Sequence, residues 1–117
     1  LGLAAALSSV GIEAEAGGEP YPGKVAVGAV VVNRVLDPHF PDSIRAVIYE
    51  PNQFYTEGLE QISRPSAEAR KAAEEALQGA DPTGGALYFY NPKTAQLAPW
   101  WSSLKPLVQI GEHVFLR

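Results

Sequence analysis

The spacing of apolar residues divides the chain into a helical first part and a last third that favours strands. A stripe with the 3.6-residue period of a helix predicts a helix over Leu3–Ala16. The stripe consists of Leu3, Leu7, Val10 and Ala14. The glycine pair at 17–18 and then Pro20 end this helix.

Residues 24–36 form the most ambiguous segment. The valines favour a strand, but the segment has about 13 residues, which is long for a strand. Its apolar residues point in all helical directions, as expected of a helix buried in the middle of a domain. We therefore predict a central helix that follows a turn at Pro22-Gly23. The polar pair Asn33-Arg34 inside it suggests a buried packing network.

Turn and capping residues delimit the other elements. They are a short helix over residues 43–49 capped by Asp42, a helix over residues 67–78 capped by Ser66, a strand over 86–90, and a strand over 106–116 with a bend at Gly111. Residues 51–65 lack periodicity and predict a long, mobile surface loop, a kind of loop that is often functional. Helices followed by strands indicate an α+β class.

Composition narrows the function without identifying it. A single domain over residues 1–117 is expected, and Leu1 is not an initiator methionine, so we expect a piece of a longer protein. The net charge of −4, with nine scattered Lys and Arg residues, argues against nucleic acid, and no apolar run reaches the ~20 residues of a membrane span. Cysteine is absent and the only histidines are His39 and His113, so we expect no metal and no cofactor. For His113 we expect a hydrogen-bonded structural role.

Carboxylates remain as candidates for chemistry, since Glu13, Glu15 and Glu19 crowd the end of the first helix. Cleavage of a glycosidic bond needs a carboxylic acid that protonates the departing oxygen, and partial desolvation favours that form. Glu13 and Glu15 lie about 200° apart on the helix at 100° per residue, and the pattern alone does not say which faces inward. Taken one at a time, each of the three glutamates is more typical of a solvated surface charge. Trp100-Trp101 suits either a sugar groove or the core.

Residues 15–30, EAGGEPYPGKVAVGAV, resemble the E-A-x-G-E-P-x-x-G-x-x-A-V-x-x-V signature of bacterial cell-wall hydrolases, the family of the spore-cortex-lytic enzymes. The resemblance continues in order through nearly the whole chain. Its further blocks are residues 32–35, 47–49, 53–54, 81–86, 90–92 and 110–115. Two positions depart from the pattern, since Gly17 stands where arginine is frequent and Glu13 where asparagine is common.

The resemblance implies a lysozyme-like fold, with helices around a buried central helix and a small antiparallel sheet. It also implies that Glu15 is the catalytic residue. The residues that it places at the substrate are Glu19, Gln53, Phe54, Tyr88 and Tyr90. The implied partner is peptidoglycan, and the implied location is secreted or in the cell envelope. Spore cortex and vegetative wall are both possible substrates. We expect a monomer.

Three functions are compatible with the resemblance, two of them catalytic. A lytic transglycosylase would cleave between N-acetylmuramic acid and N-acetylglucosamine with Glu15 alone and leave 1,6-anhydro-muramoyl ends. A hydrolytic muramidase or glucosaminidase would need a second carboxylate, for which the candidates are Glu19, Glu57 and Glu60. A non-catalytic peptidoglycan-binding module would bind glycan without Glu15. A fourth function, zinc-dependent amidase cleavage of the stem peptide, is disfavoured because the sequence offers too few metal ligands.

Overall fold

A computed structural model describes residues 2–50 and 64–117 of the chain. Within these ranges, four α-helices precede a three-stranded antiparallel sheet, and a 3₁₀ helix lies between its first two strands along the chain. The elements are α1 (Leu3–Ala16), α2 (Tyr21–Leu36), α3 (Ile44–Ile48), α4 (Ala67–Leu77), β1 (Tyr88–Tyr90), a 3₁₀ helix (Pro99–Ser103), β2 (Pro106–Ile110) and β3 (His113–Leu116). Most of the predicted 51–65 loop lies outside the described residues, with Gln53, Phe54, Glu57 and Glu60.

The ambiguous segment is a helix, as predicted, and α2 is the central element of the fold. It contacts α1, α3, α4 and two strands of the sheet, and its residues from Gly23 to Val31 are buried. The predicted turn at Pro22-Gly23 is wrong, because α2 already begins at Tyr21. Proline is tolerated in the first helical turn, where its missing N–H has no intrahelical acceptor to lose.

Helix α4 packs closely on α2 through small side chains. Ala72 and Ala76 are buried on α4, and a Cβ added to Gly28 of α2 would lie 2.9 Å from the Ala76 Cβ. The same atom would lie 3.1 Å from Ile12 Cδ1 on α1, so α1, α2 and α4 meet at Gly28. The predicted cap of α4 is confirmed, since the Ser66 Oγ accepts a hydrogen bond from Ala69 N at 3.1 Å.

The cap of α3 and the last predicted strand differ from the prediction, and β1 begins at Tyr88 and not at residue 86. Helix α3 is capped by Ser43, whose Oγ accepts from Ala46 N at 3.1 Å, and not by Asp42. The strand predicted over residues 106–116 is a hairpin of β2 and β3, because Gly111 has φ +59° and reverses the chain where a bend was expected.

The two faces of the sheet carry different sets of aromatic side chains. In the order β1-β3-β2, Tyr88 pairs with Leu116 and Tyr90 with Val114. Side chains alternate between the faces of a strand, so Phe89 points away from both tyrosines. It packs against the rings of His113 and Phe115, of which Phe115 belongs to the buried core. The α+β class and the expected helices around a buried central helix with a small antiparallel sheet are therefore confirmed.

Candidate active site

Glu15 lies in the last turn of α1, next to the final helical residue Ala16. Ile12 and Ala16 are buried in the core, whereas Glu15 is half-buried. The helix therefore fixes the backbone of Glu15 while its side chain lies at the boundary between protein and solvent. The last turn of α1 contains no basic residue.

Glu13 anchors the end of α1 to the start of α4. Its Oε1 accepts a hydrogen bond from the Ser66 backbone N at 2.6 Å, and Ser66 is the residue that caps α4. A Cβ on residue 17 would lie 2.6 Å from the Glu13 Oε2. Glu13 and Gly17 are the two positions that depart from the family pattern. They are compatible with each other, because a side chain at residue 17 would contact the Glu13 carboxylate in its observed position.

Glu19, in the connection between α1 and α2, is held by three hydrogen bonds. Its backbone N donates to Ala16 O at 3.0 Å, and its backbone O accepts from the Lys24 Nζ at 2.6 Å. Its side-chain Oε1 accepts from the Glu112 backbone N at 2.8 Å, in the turn between β2 and β3. Only 12% of the Glu19 side chain is exposed. The carboxylate thus joins the helical part of the molecule to the hairpin.

The His113 ring lies beside the hydrogen bond between Glu19 and Glu112, but its Nδ1 forms no hydrogen bond with the Glu19 carboxylate. Its Nδ1 is 3.6 Å from the Glu19 Oε1, too far for a hydrogen bond, and has no hydrogen-bond partner among the described residues. The ring packs edge-on against Phe89 and Phe115. Burial lowers the pKa of His113 below its usual 6.5, and the charges of Glu19 and Glu112 oppose that shift. The hydrogen-bonded role expected for His113 is therefore not seen at Nδ1.

An aromatic platform lies on the other face of the sheet. We use this name for Tyr88, Tyr90, Trp100 and Trp101. The two tryptophan rings stack with centroids 5.0 Å apart, and Trp101 is 5.7 Å from the ring of each tyrosine. Trp100 is 50% exposed, so the interpretation of this residue as core is wrong. Beside Trp101 and Tyr90 lies an apolar cavity of about 420 Å³.

Arg34 supports this platform from within the protein. Only 3% of the residue is exposed, and its Nε donates to Leu87 O at 2.7 Å. Its guanidinium carbon lies 5.3 Å from the Tyr88 ring centroid and 4.8 Å from that of Phe40. The sequence indicated only a buried polar pair here, and that network is confirmed, since Asn33 Nδ2 also donates to Asp81 and to Ala86 O. The sequence did not predict that the Arg34 guanidinium would lie against the Tyr88 ring.

The predicted site residues thus fall into groups. Glu15 and Glu19 lie at the end of α1 and in the connection that follows it, and Tyr88 and Tyr90 share the platform. Gln53 and Phe54 lie outside the described residues. Across residues 2–50 and 64–117, no group of three or more His, Asp or Glu side chains is arranged to hold a metal ion. In the same ranges, no helix has both the length and the apolar character needed to cross a membrane.

Sequence comparison extends the resemblance to named relatives. A family model described as cell wall hydrolase matches residues 18–116, a range that begins after Glu15. The spore cortex-lytic enzyme of Halalkalibacterium halodurans is 44% identical over 110 residues, which is 93% of this chain and 33% of the relative. That of Oceanobacillus iheyensis is 44% identical over 88% of this chain and 37% of its own length. The chain therefore spans between a third and two fifths of these relatives.

Solved structures share this fold, and with them the expected lysozyme-like class is confirmed. The catalytic domain of the Bacillus cereus SleB protein superimposes with a TM-score of 0.88 at 40% identity, covering 97% of this chain and 88% of that one. The catalytic domain of the germination-specific lytic transglycosylase SleB from Bacillus anthracis also gives a TM-score of 0.88, at 39% identity over 97% of this chain and 93% of that one.

Proposed function

The chain belongs to the cell wall hydrolase family, and we propose that it is a catalytic domain that cleaves peptidoglycan glycan strands as a lytic transglycosylase. The bond cleaved is the one between N-acetylmuramic acid and N-acetylglucosamine. The observation that carries the proposal is the shared fold over 97% of the chain with a catalytic domain named for this reaction. The substrate that we propose is spore cortex, because the relatives are named for its lysis.

Glu15 acts first as the acid and then as the base. Its carboxylic proton passes to the bridging oxygen, and the bond from that oxygen to C1 of the muramoyl residue breaks. The muramoyl C6 hydroxyl then attacks C1 and gives its proton to the Glu15 carboxylate, which restores the acid. No water is consumed, and the product is a 1,6-anhydro ring. General acid–base steps of this kind contribute about 10²–10⁴-fold to a rate.

The contacts of Glu19 favour this reaction over hydrolysis. A hydrolytic enzyme needs a second carboxylate, at roughly 5 Å for retention or 6.5–9.5 Å for inversion. The Glu19 Oε1 already accepts a hydrogen bond from the hairpin, and its side chain is largely enclosed. Glu57 and Glu60, the other candidates, lie outside the described residues. A reaction in which the substrate supplies its own nucleophile needs Glu15 alone.

The aromatic platform is the part of the described surface that we propose for sugar binding. Aromatic faces pack against the apolar faces of pyranose rings, and Trp100 offers an exposed ring that is already stacked on Trp101. Tyr88 and Tyr90, which the resemblance places at the substrate, belong to the same cluster. Gln53 and Phe54 remain predictions of the sequence.

Mass spectrometry of the fragments released from purified cortex and vegetative peptidoglycan tests the activity. We expect 1,6-anhydro-muramoyl ends, released faster from cortex and unaffected by chelators. Reducing ends one water heavier would replace the proposal with hydrolysis. Stem peptides freed from intact glycan, dependent on zinc, would replace it with amidase action. Binding to both materials without any release would indicate a non-catalytic module.

A further inference from the structure

We propose that Glu19 is a positioning residue, which holds the α1–α2 connection on the β2–β3 hairpin and thereby fixes Glu15. On this proposal Glu19 is neither a second catalytic carboxylate nor a ligand of the sugar. The inference rests on the proposed function, since it assigns a role in the reaction that Glu15 performs. It starts from the three hydrogen bonds of Glu19, each to a different part of the structure.

The hairpin is shaped to receive the Glu19 carboxylate. The turn residue Gly111 has φ +59°, and a Cβ there would lie 2.5 Å from the Glu19 Oε1 and 3.0 Å from the Pro20 Cδ. The turn therefore packs directly on residues 19 and 20. This approach brings the Glu112 N–H to 2.8 Å from the carboxylate. A backbone donor in a tight turn fixes an acceptor more rigidly than a flexible side chain does.

The contact of Glu19 with the hairpin is connected to Glu15 through the end of α1. Glu19 N donates to Ala16 O, and Ala16 follows Glu15 directly. On the other side of Glu15, the Glu13 carboxylate is bound to Ser66 at the start of α4. The turn that carries Glu15 is therefore held at both of its ends by a flanking glutamate. A displacement of about 1 Å in a catalytic group can cost on the order of 10²-fold in rate.

A pair of substitutions at one position separates positioning from chemistry. Glu19→Gln keeps the length of the side chain and an oxygen that accepts from the Glu112 N–H, but loses the carboxylate. Glu19→Asp keeps the carboxylate but is one methylene shorter. Positioning predicts that Glu19→Gln retains kcat within about threefold, and that Glu19→Asp loses about 10- to 100-fold in kcat with KM changed less than twofold.

The measurement is steady-state release of 1,6-anhydro products from soluble glycan oligomers, with folding checked by circular dichroism and the pH profile of kcat recorded. The profile of Glu19→Gln should match that of the wild type. A Glu19→Gln protein less active than Glu19→Asp would overturn the proposal, because the carboxylate itself would be needed. A rise in KM alone would show a substrate ligand, and two variants of wild-type activity would show no role. Failure of the proposed function would appear separately, as the wrong product from the wild type.

Discussion

Replacement of Glu15 with glutamine removes the proton that the proposed reaction needs while the shape of the side chain is kept. General acid–base catalysis is worth about 10²–10⁴-fold, or about 3–5 kcal/mol at 1.36 kcal/mol for each factor of ten. We expect a loss at the upper end, because Glu15 serves both steps of the proposed reaction. The half-buried residue lies at the C-terminus of α1, with no basic residue in that turn. A negative charge there opposes the helix dipole by about 0.3–1 kcal/mol, so the stability of Glu15→Gln should be unchanged or slightly higher.

Glu13→Gln is the matched control for charge loss in the same helix. Its amide oxygen still accepts from the Ser66 N–H, although the bond loses its charge. We expect activity within about threefold of the wild type and a stability loss of about 1 kcal/mol. The assay is release of soluble fragments from purified walls, with urea unfolding of each variant. A folded Glu15→Gln protein with near-normal activity would refute the assignment, as would equal losses in both variants.

Three further predictions address stability and binding. The pKa of His113 is depressed in the folded protein, so unfolding takes up a proton below the unfolded value of about 6.5. The urea midpoint should therefore fall as pH decreases from 7.5 to 5.5, and an equal fall in His113→Gln would contradict this. Gly28→Val should destabilise by about 1–3 kcal/mol, since its Cβ would meet Ala76 and Ile12; an unchanged melting temperature would show that the helices move apart easily. Trp100→Ala should weaken glycan binding measured by calorimetry while stability changes little, and undiminished affinity would remove the platform from the site.

The fold was predictable where local pattern and tertiary packing agree. The stripe of α1 and the Ser66 cap of α4 gave these helices from spacing and capping chemistry alone. The nature of α2 followed from its length, against the strand propensity of its valines, because a helix surrounded by other helices can be apolar on every side. Its start was missed because a proline in a first turn and a proline in a loop look alike in sequence. Similarly, the reversal at Gly111 depends on a positive φ that the residue type allows but does not require.

The candidate site was only partly predictable, because contacts between distant residues decide it. Periodicity left Glu13 and Glu15 equivalent, and it gave no sign that Glu13 would contact Ser66, which is 53 positions away in the chain. Nothing near Glu19 indicated that its carboxylate would meet Glu112, which is 93 positions away. The position of Arg34 beneath Tyr88 likewise required the fold.

The three glutamates at the end of α1 have the same charge and nearly the same sequence environment. The carboxylates of Glu13 and Glu19 accept hydrogen bonds from backbone N–H groups of other elements. Such a bond restricts a carboxylate to one position and occupies one of its oxygens, which suits an anchor and opposes a role in proton transfer to a moving substrate. An acid that gives and then recovers a proton needs a backbone that stays fixed during both steps. On our proposal, Glu13 and Glu19 supply that fixation from α4 and from the hairpin. A site with one acid and two acidic anchors therefore accounts for three carboxylates without requiring a second catalytic one.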